Sequence, residues 1–175
     1  MTTSAGRVIG SIRAENGRGT VRMEGVYDTP PADLWSAVTE PDRLARWVAE
    51  VTGDLQPGGG FHARFTSGWD GPGRVDLCDP PRRLLATMSP GTDDETVIEA
   101  TLAGEGGRTR LVIEERGIPL AEIADHGAGW QAHVEDLAAY LAGRHPRDWR
   151  ERWIELVPAY SESAADLLKK SQNDN

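Results

Sequence analysis

The sequence predicts an α+β domain in which one curved antiparallel sheet wraps a long C-terminal helix. Three observations carry this. Two short helical segments, bearing Trp35 and Trp47, follow the first extended residues. A series of alternating apolar and polar segments, separated by Gly, Pro and Asp turns, then runs to about residue 116. One long amphipathic segment carrying Trp130 comes after them. A curved sheet gripping a single helix leaves an internal cavity, and that cavity, rather than any catalytic motif, is what the sequence says about function.

The elements follow in order. Residues 7–13 and 20–27 read as two extended segments joined at Asn16 and Gly17, a strong hairpin-turn pair. Gly25 falls where the alternation of Val21 and Met23 shifts, and is expected to mark a bulge. Thr29 is expected to cap the first short helix, with Pro30 or Pro31 opening it and Leu34, Trp35 and Val38 on one face. Pro41 ends that helix or begins the second, where Leu44 and Trp47 share a side. Both are too short to be stable alone and must pack on the sheet. Strands are then expected at 51–55, 61–65, 74–78, 83–88, 95–103 and 109–116, with 68–73 as a loop. In the second of these Phe61, Ala63 and Phe65 face one way, and His62 and Arg64 the other. Gly117, Pro119 and Gly127 break the chain before a helix over 128–142, whose Trp130, His133, Val134, Leu137 and Leu141 form one stripe. A further amphipathic helix over 147–157 places Trp149, Trp153 and Leu156 on one side. Pro158 is expected to bend or end it, and the tail 161–175 to have weak helical character and frayed last residues.

The chain has 175 residues, enough for one domain with a real core. Cys78 is its single cysteine, which excludes an intrachain disulfide framework and fits a reducing compartment. No secretory pattern opens the sequence, and no apolar run approaches the ~18 residues of a membrane span. A cytoplasmic protein is the expectation. The net charge of −9, with 28 acidic and 19 basic residues and no sustained basic cluster, disfavours nucleic acid as a partner. The four histidines lack metal-ligand spacing, so no metal site is expected, and no cofactor. The glycines at 58–60 lack the Lys and Ser/Thr of a phosphate loop. No Gly-x-Ser-x-Gly nucleophile motif occurs, and Cys78, in mid-strand, reads as a small buried or edge-facing thiol.

Several phrases together resemble the START/birch-pollen-allergen-like (SRPBCC) superfamily, in the branch named after the activator of the heat-shock-protein-90 ATPase. They are PADLWSAVTEPDRLARW at 31–47, GGGF at 58–61, VDLCDPPRRL at 75–84, TRLVI at 109–113, and Gly129, Trp130, His133 and LAAYL at 137–141. They span about residues 20–143, and their order is specific for fold but not for activity. The resemblance implies a helix-grip fold over residues 1–143, with the N-terminal hairpin included, and a helical extension over 144–175.

Within such a fold the stripe on the long helix faces the concave sheet. The leading expectation is a protein that binds a small hydrophobic molecule in a cavity lined by Trp47, Phe61, Phe65, Trp69, Leu77, Met88, Ile98, Leu111, Ile113, Trp130, His133 and Leu137. Trp69, in a glycine-rich loop, is either a mobile ligand contact or a loop anchor. His133 either meets a ligand or is a satisfied packed histidine. Glu115 shares the parity of Leu111 and Ile113, which points it inward with Arg64 or His133 as partner. Its place just before Gly117 favours the opposite, a strand end already in solvent. An alternative is a cyclase-, dehydratase- or hydrolase-type enzyme using His133 and Glu115 as acid and base. A third is a chaperone-associated interaction module using the Trp149 and Trp153 face, although the favoured role of that face is a lid, core cover or homodimer seam.

Overall fold

A computed structural model describes residues 7–173, which form an eight-stranded antiparallel sheet and four α-helices. Strands β1 (Val8–Glu15) and β2 (Arg18–Tyr27) make the opening hairpin. Asn16 and Gly17 both take positive φ, 52° and 75°, as a two-residue type I′ turn requires. Helices α1 (Pro31–Thr39) and α2 (Pro41–Leu44) then carry the chain to the far edge of the sheet. From there β3 (Ala49–Gly53), β4 (Gly60–Phe65), β5 (Asp70–Asp79), β6 (Arg83–Met88), β7 (Thr96–Glu105) and β8 (Arg108–Pro119) return strand by strand. The order is β1-β2-β8-β7-β6-β5-β4-β3. A 3₁₀ turn (Leu120–Glu122) leads into α3 (Ile123–Leu141), and α4 (Trp149–Asn173) follows.

The two faces of the sheet differ by chemistry. Met23, Ala100 and Ile113 are register partners on the inner face and are buried. Glu24, Glu99 and Glu114 alternate with them and meet Arg22, Arg110 and Arg116 on the outer face. Apolar burial beneath α3 supplies the stability, since partly exposed ion pairs are worth about 0–1 kcal/mol each. At the other end of α3, Arg43 donates to the Tyr140 hydroxyl (2.9 Å) and to Asp33 (2.9 Å), tying α1 and α2 to the long helix.

Several sequence expectations are corrected. Gly25 pairs regularly with Val8 and Leu111, and the irregularity in β2 falls between Gly19 and Thr20. There Gly117, at φ 84°, is the extra residue of β8, so it bulges the strand rather than ending it. Thr29 sits one residue before the capping position, which Pro30 holds, and its hydroxyl donates to Asp33 (2.6 Å). Residues 70–73 belong to β5, where Gly71 and Gly73 lie under the rings of Trp69 and Phe61. The long helix starts at Ile123, not at 128, and Gly127 lies inside it. Pro158 does not end α4, which runs on to Asn173; the expected fraying of residues 174–175 lies outside the described residues.

Two of these surprises share a cause. Tyr160 of α4 is 8% exposed, and its hydroxyl and ring occupy the space a side chain would need at Gly10 of β1 and at Gly127 of α3, respectively. A Cβ at Gly127 would stand 2.6 Å from Tyr160 Cδ1. The tyrosine hydroxyl donates to Gln131 Oε1 at 2.7 Å. Tyr160 and Ala164 thus join the same buried cluster as Val21, Met23 and Leu137, which is why helix continues past the proline. None of the described helices is long and apolar enough to cross a membrane.

Tyr160→Ala should cost about 3 kcal/mol, in the range of buried aromatic truncations. Gly127→Ala should cost about 1–3 kcal/mol through overpacking against the same ring. Urea unfolding followed by circular dichroism measures both.

Candidate ligand-binding site

Glu115 extends the inner face of β8, opposite Val21 and Ile98, and is 6% exposed. A buried carboxyl group requires donors, and two elements supply them. Thr96 Oγ1, at the start of β7, donates to Oε2 (2.9 Å). From α3, Trp130 Nε1 donates to Oε1 (3.1 Å), and His126 Nδ1 lies 2.6 Å from the same oxygen. His126 and Trp130 are four residues apart, so one helical face presents both. Burial works against a charge on His126, but the hydrogen bond and charge of Glu115, with Glu122 adding at 3.6 Å, outweigh it and raise its pKa.

His133 follows one turn later in a different environment. It is 3% exposed, and burial pushes its pKa down to about 3 against the opposing effect of a hydrogen bond to the Trp47 backbone. The ring is therefore neutral at ordinary pH, with one donor and one acceptor nitrogen. Its Nδ1 has no hydrogen-bond partner among the described residues. An unmet buried acceptor costs about 1–3 kcal/mol. Aromatic rings surround it: Trp149 at 5.3 Å, Trp130 at 5.7 Å and Phe65 at 5.8 Å between centroids. Trp153 stacks on Trp149 in turn (6.0 Å).

These groups border a cavity of about 730 Å³ between the ends of β4 to β8, the first half of α3 and the first turns of α4. A second hollow, of about 130 Å³ and almost wholly apolar, is lined by residues of α1, α2 and the sheet together with Trp130 of α3. Phe65, Met88, Ile98 and Trp130 border both and form the partition. The large cavity falls within the ~300–1,000 Å³ typical of small-molecule sites, and the small hollow well below it.

Residues 28–142 match the family described as Activator of Hsp90 ATPase homolog 1-like protein. The chain belongs to this family. Among solved structures, CalU16 from Micromonospora echinospora is similar over 90% of this chain and 98% of its own, at 24% identity and a TM-score of 0.76. A protein from Bordetella parapertussis matches over 85% of this chain and 87% of its own, at 24% identity and a TM-score of 0.70. DynU16, a protein in the dynemicin biosynthetic locus, is 31% identical over 74% of this chain and half of its own, with a TM-score of 0.66. No curated protein matches the chain. The eight-stranded sheet around α3 is the helix-grip architecture of these neighbours, while α4 lies beyond the residues matched to the family.

Within this helix-grip frame the twelve residues expected to line the cavity divide. Phe65, Trp69, Met88, Ile98, Trp130 and His133 border the large cavity. Trp47, Phe61 and Ile113 border only the small hollow, and Trp47 is fixed there by donating to the Ala37 carbonyl (2.9 Å). Leu111 and Leu137 are fully packed core. Leu77 borders neither space, because the register of β5 shifts between Val75 and Leu77 and breaks the parity that pointed it inward. Trp69 packs edge-on against Phe65 (5.5 Å) and over Gly71. Glu115 points inward after all, but neither Arg64 nor His133 is its partner. Arg64 lies on the outer face and binds Asp70 (3.1 Å). His126 was the residue missed: only a helix starting before Ala128 puts it on one face with Trp130.

The two histidines should titrate in opposite directions. His126 should show an NMR midpoint above 6.5, and Glu115→Gln should lower it; His133 should remain neutral from pH 8 down to pH 5. The linkage follows the same signs. The stability His126 contributes is full below 6.5 and disappears as pH rises through its raised folded value. His133 destabilises the fold as pH falls from 6.5 toward 3, where only the unfolded chain takes the proton.

Proposed function

We propose that this protein binds a small, largely apolar molecule in the 730 Å³ cavity. The supporting observation is the set of aromatic rings that border the space. Phe65 and Trp69 come from β4 and the turn after it, Trp130 from α3, and Trp149 and Trp153 from α4. These rings supply apolar contact, while Glu115, His126 and His133 are the polar groups that orient a guest. The place of the relative DynU16 in the dynemicin biosynthetic locus supports a natural-product-sized guest. A cytoplasmic setting fits the free Cys78.

The other two readings find less support. The His133 and Glu115 acid–base pair is not formed, and His133, with its pKa near 3, is a poor proton acceptor at neutral pH. For the chaperone-associated reading, the Trp149 and Trp153 face lies against its own α3. Trp149 Nε1 donates to the Gly129 carbonyl (3.3 Å) and Trp153 Nε1 to that of Asp125 (3.0 Å).

A panel of apolar ligands from several chemical classes, followed by tryptophan fluorescence and thermal shift, tests the proposal. Binding classes should quench the indoles and raise the melting temperature, since a ligand at a hundred times its Kd stabilises by about 2.7 kcal/mol. Trp149→Ala should weaken binding about ten-fold or more, a loss typical of an interface aromatic. Silence across all classes contradicts the proposal.

A further inference from the structure

The charged groups bordering the cavity are unbalanced: five carboxylates face two potential cations, His126 and the exposed rim residue Arg150. Three of the carboxylates are accounted for. Glu115 and Glu122 hold His126 at 2.6 and 3.6 Å. Asp70 is held by His62 at 2.5 Å and Arg64 at 3.1 Å. Asp94, in the connection entering β7, and Asp125, in the first turn of α3, form no salt bridge among the described residues. They reach the same space from different elements, the sheet side and α3.

Two solvated carboxylates alone would be ordinary surface chemistry. His133 supplies an independent observation. It borders the same cavity, is 3% exposed, and its Nδ1 acceptor has no donor among the described residues. The walls add a third, because the faces of Trp, Tyr and Phe attract cations. Two unpaired carboxylates, one unmet buried acceptor and a set of indole faces are all complementary to a positively charged hydrogen-bond donor. We infer that the guest carries a protonated amine on a planar apolar scaffold, the scaffold between the indoles of α3 and α4 and the amine toward Asp94, Asp125 and His133. This inference rests on the cavity being a binding site. The net charge of −9 draws such a guest in and repels an anionic one.

Three probes of nearly equal shape decide it: 9-(aminomethyl)anthracene, 9-anthracenemethanol and anthracene-9-carboxylate, titrated into the full chain at pH 7 and low salt. Indole quenching and calorimetry read the binding. The ammonium should bind about ten-fold tighter than the alcohol, as for one desolvated cation–π contact with a charge partner, and the carboxylate weakest. The double variant Asp94→Asn with Asp125→Asn should shrink the ammonium's advantage below about three-fold and leave the alcohol unchanged. Its melting temperature, measured alongside, establishes that it folds. If the carboxylate binds as well as the ammonium, or the double variant keeps the full preference, the charge inference is overturned while the cavity reading stands. If none of the three binds at millimolar concentration while other apolar classes do, the inference is again overturned and the site survives. Silence from every class removes both.

Discussion

A carboxyl group buried on the inner face of a sheet must find donors, and at Glu115 it draws them from both layers of the fold. Thr96 is its donor in the sheet, while His126 and Trp130 reach it from one face of α3. Those bonds fix how the start of α3 lies over the open ends of the strands. That placement in turn sets the floor of the cavity and the orientation of the Trp130 ring dividing it from the small apolar hollow. An apolar side chain at 115 would leave His126 and the indole N–H without their partner, at the position where the sheet and helix diverge.

The second constraint comes from α4, which lies outside the residues matched to the family. Tyr160 enters between Gly10 and Gly127, two positions where any side chain would collide with its hydroxyl or its ring. Arg152 meets Glu135 of α3 at 2.7 Å. With the helix anchored there, its first turns lay Trp149 over His133 and Trp153 over Trp149. Helix α4 therefore forms a wall of the cavity. The polar floor and the rings of Phe65, Trp69 and Trp130 belong to the residues matched to the family, and the rings of Trp149 and Trp153 to α4.

Much of this was legible in the sequence. Strand periodicity, the Asn16 and Gly17 turn, and the stripe Trp130, His133, Leu137 gave the sheet, its hairpin and the gripped helix. What stayed hidden was glycine used for close approach rather than for breaking. Gly127 reads as a helix breaker, yet it is helical because Tyr160 needs its bare backbone, and sequence distance conceals that contact. The same misreading started the helix late and removed His126 from view. Strand parity failed for Leu77, where the β5 register shifts, and held for Glu115, because the bulge at Gly117 lies two residues beyond it. No local signal marks which strand residues a bulge reverses.

The six tryptophans offer a direct readout of the central claim, that a guest sits between the α3 and α4 indoles above Glu115. Each indole N–H gives its own proton–nitrogen resonance, assignable by single Trp→Phe variants. On adding a bound ligand, the account requires the Trp130, Trp149 and Trp153 resonances to shift together, while that of Trp47, bonded to the Ala37 carbonyl, stays in place. A shift confined to Trp47 would put the guest in the small hollow, and unmoved Trp130 and Trp149 resonances with a ligand demonstrably bound would contradict the site itself.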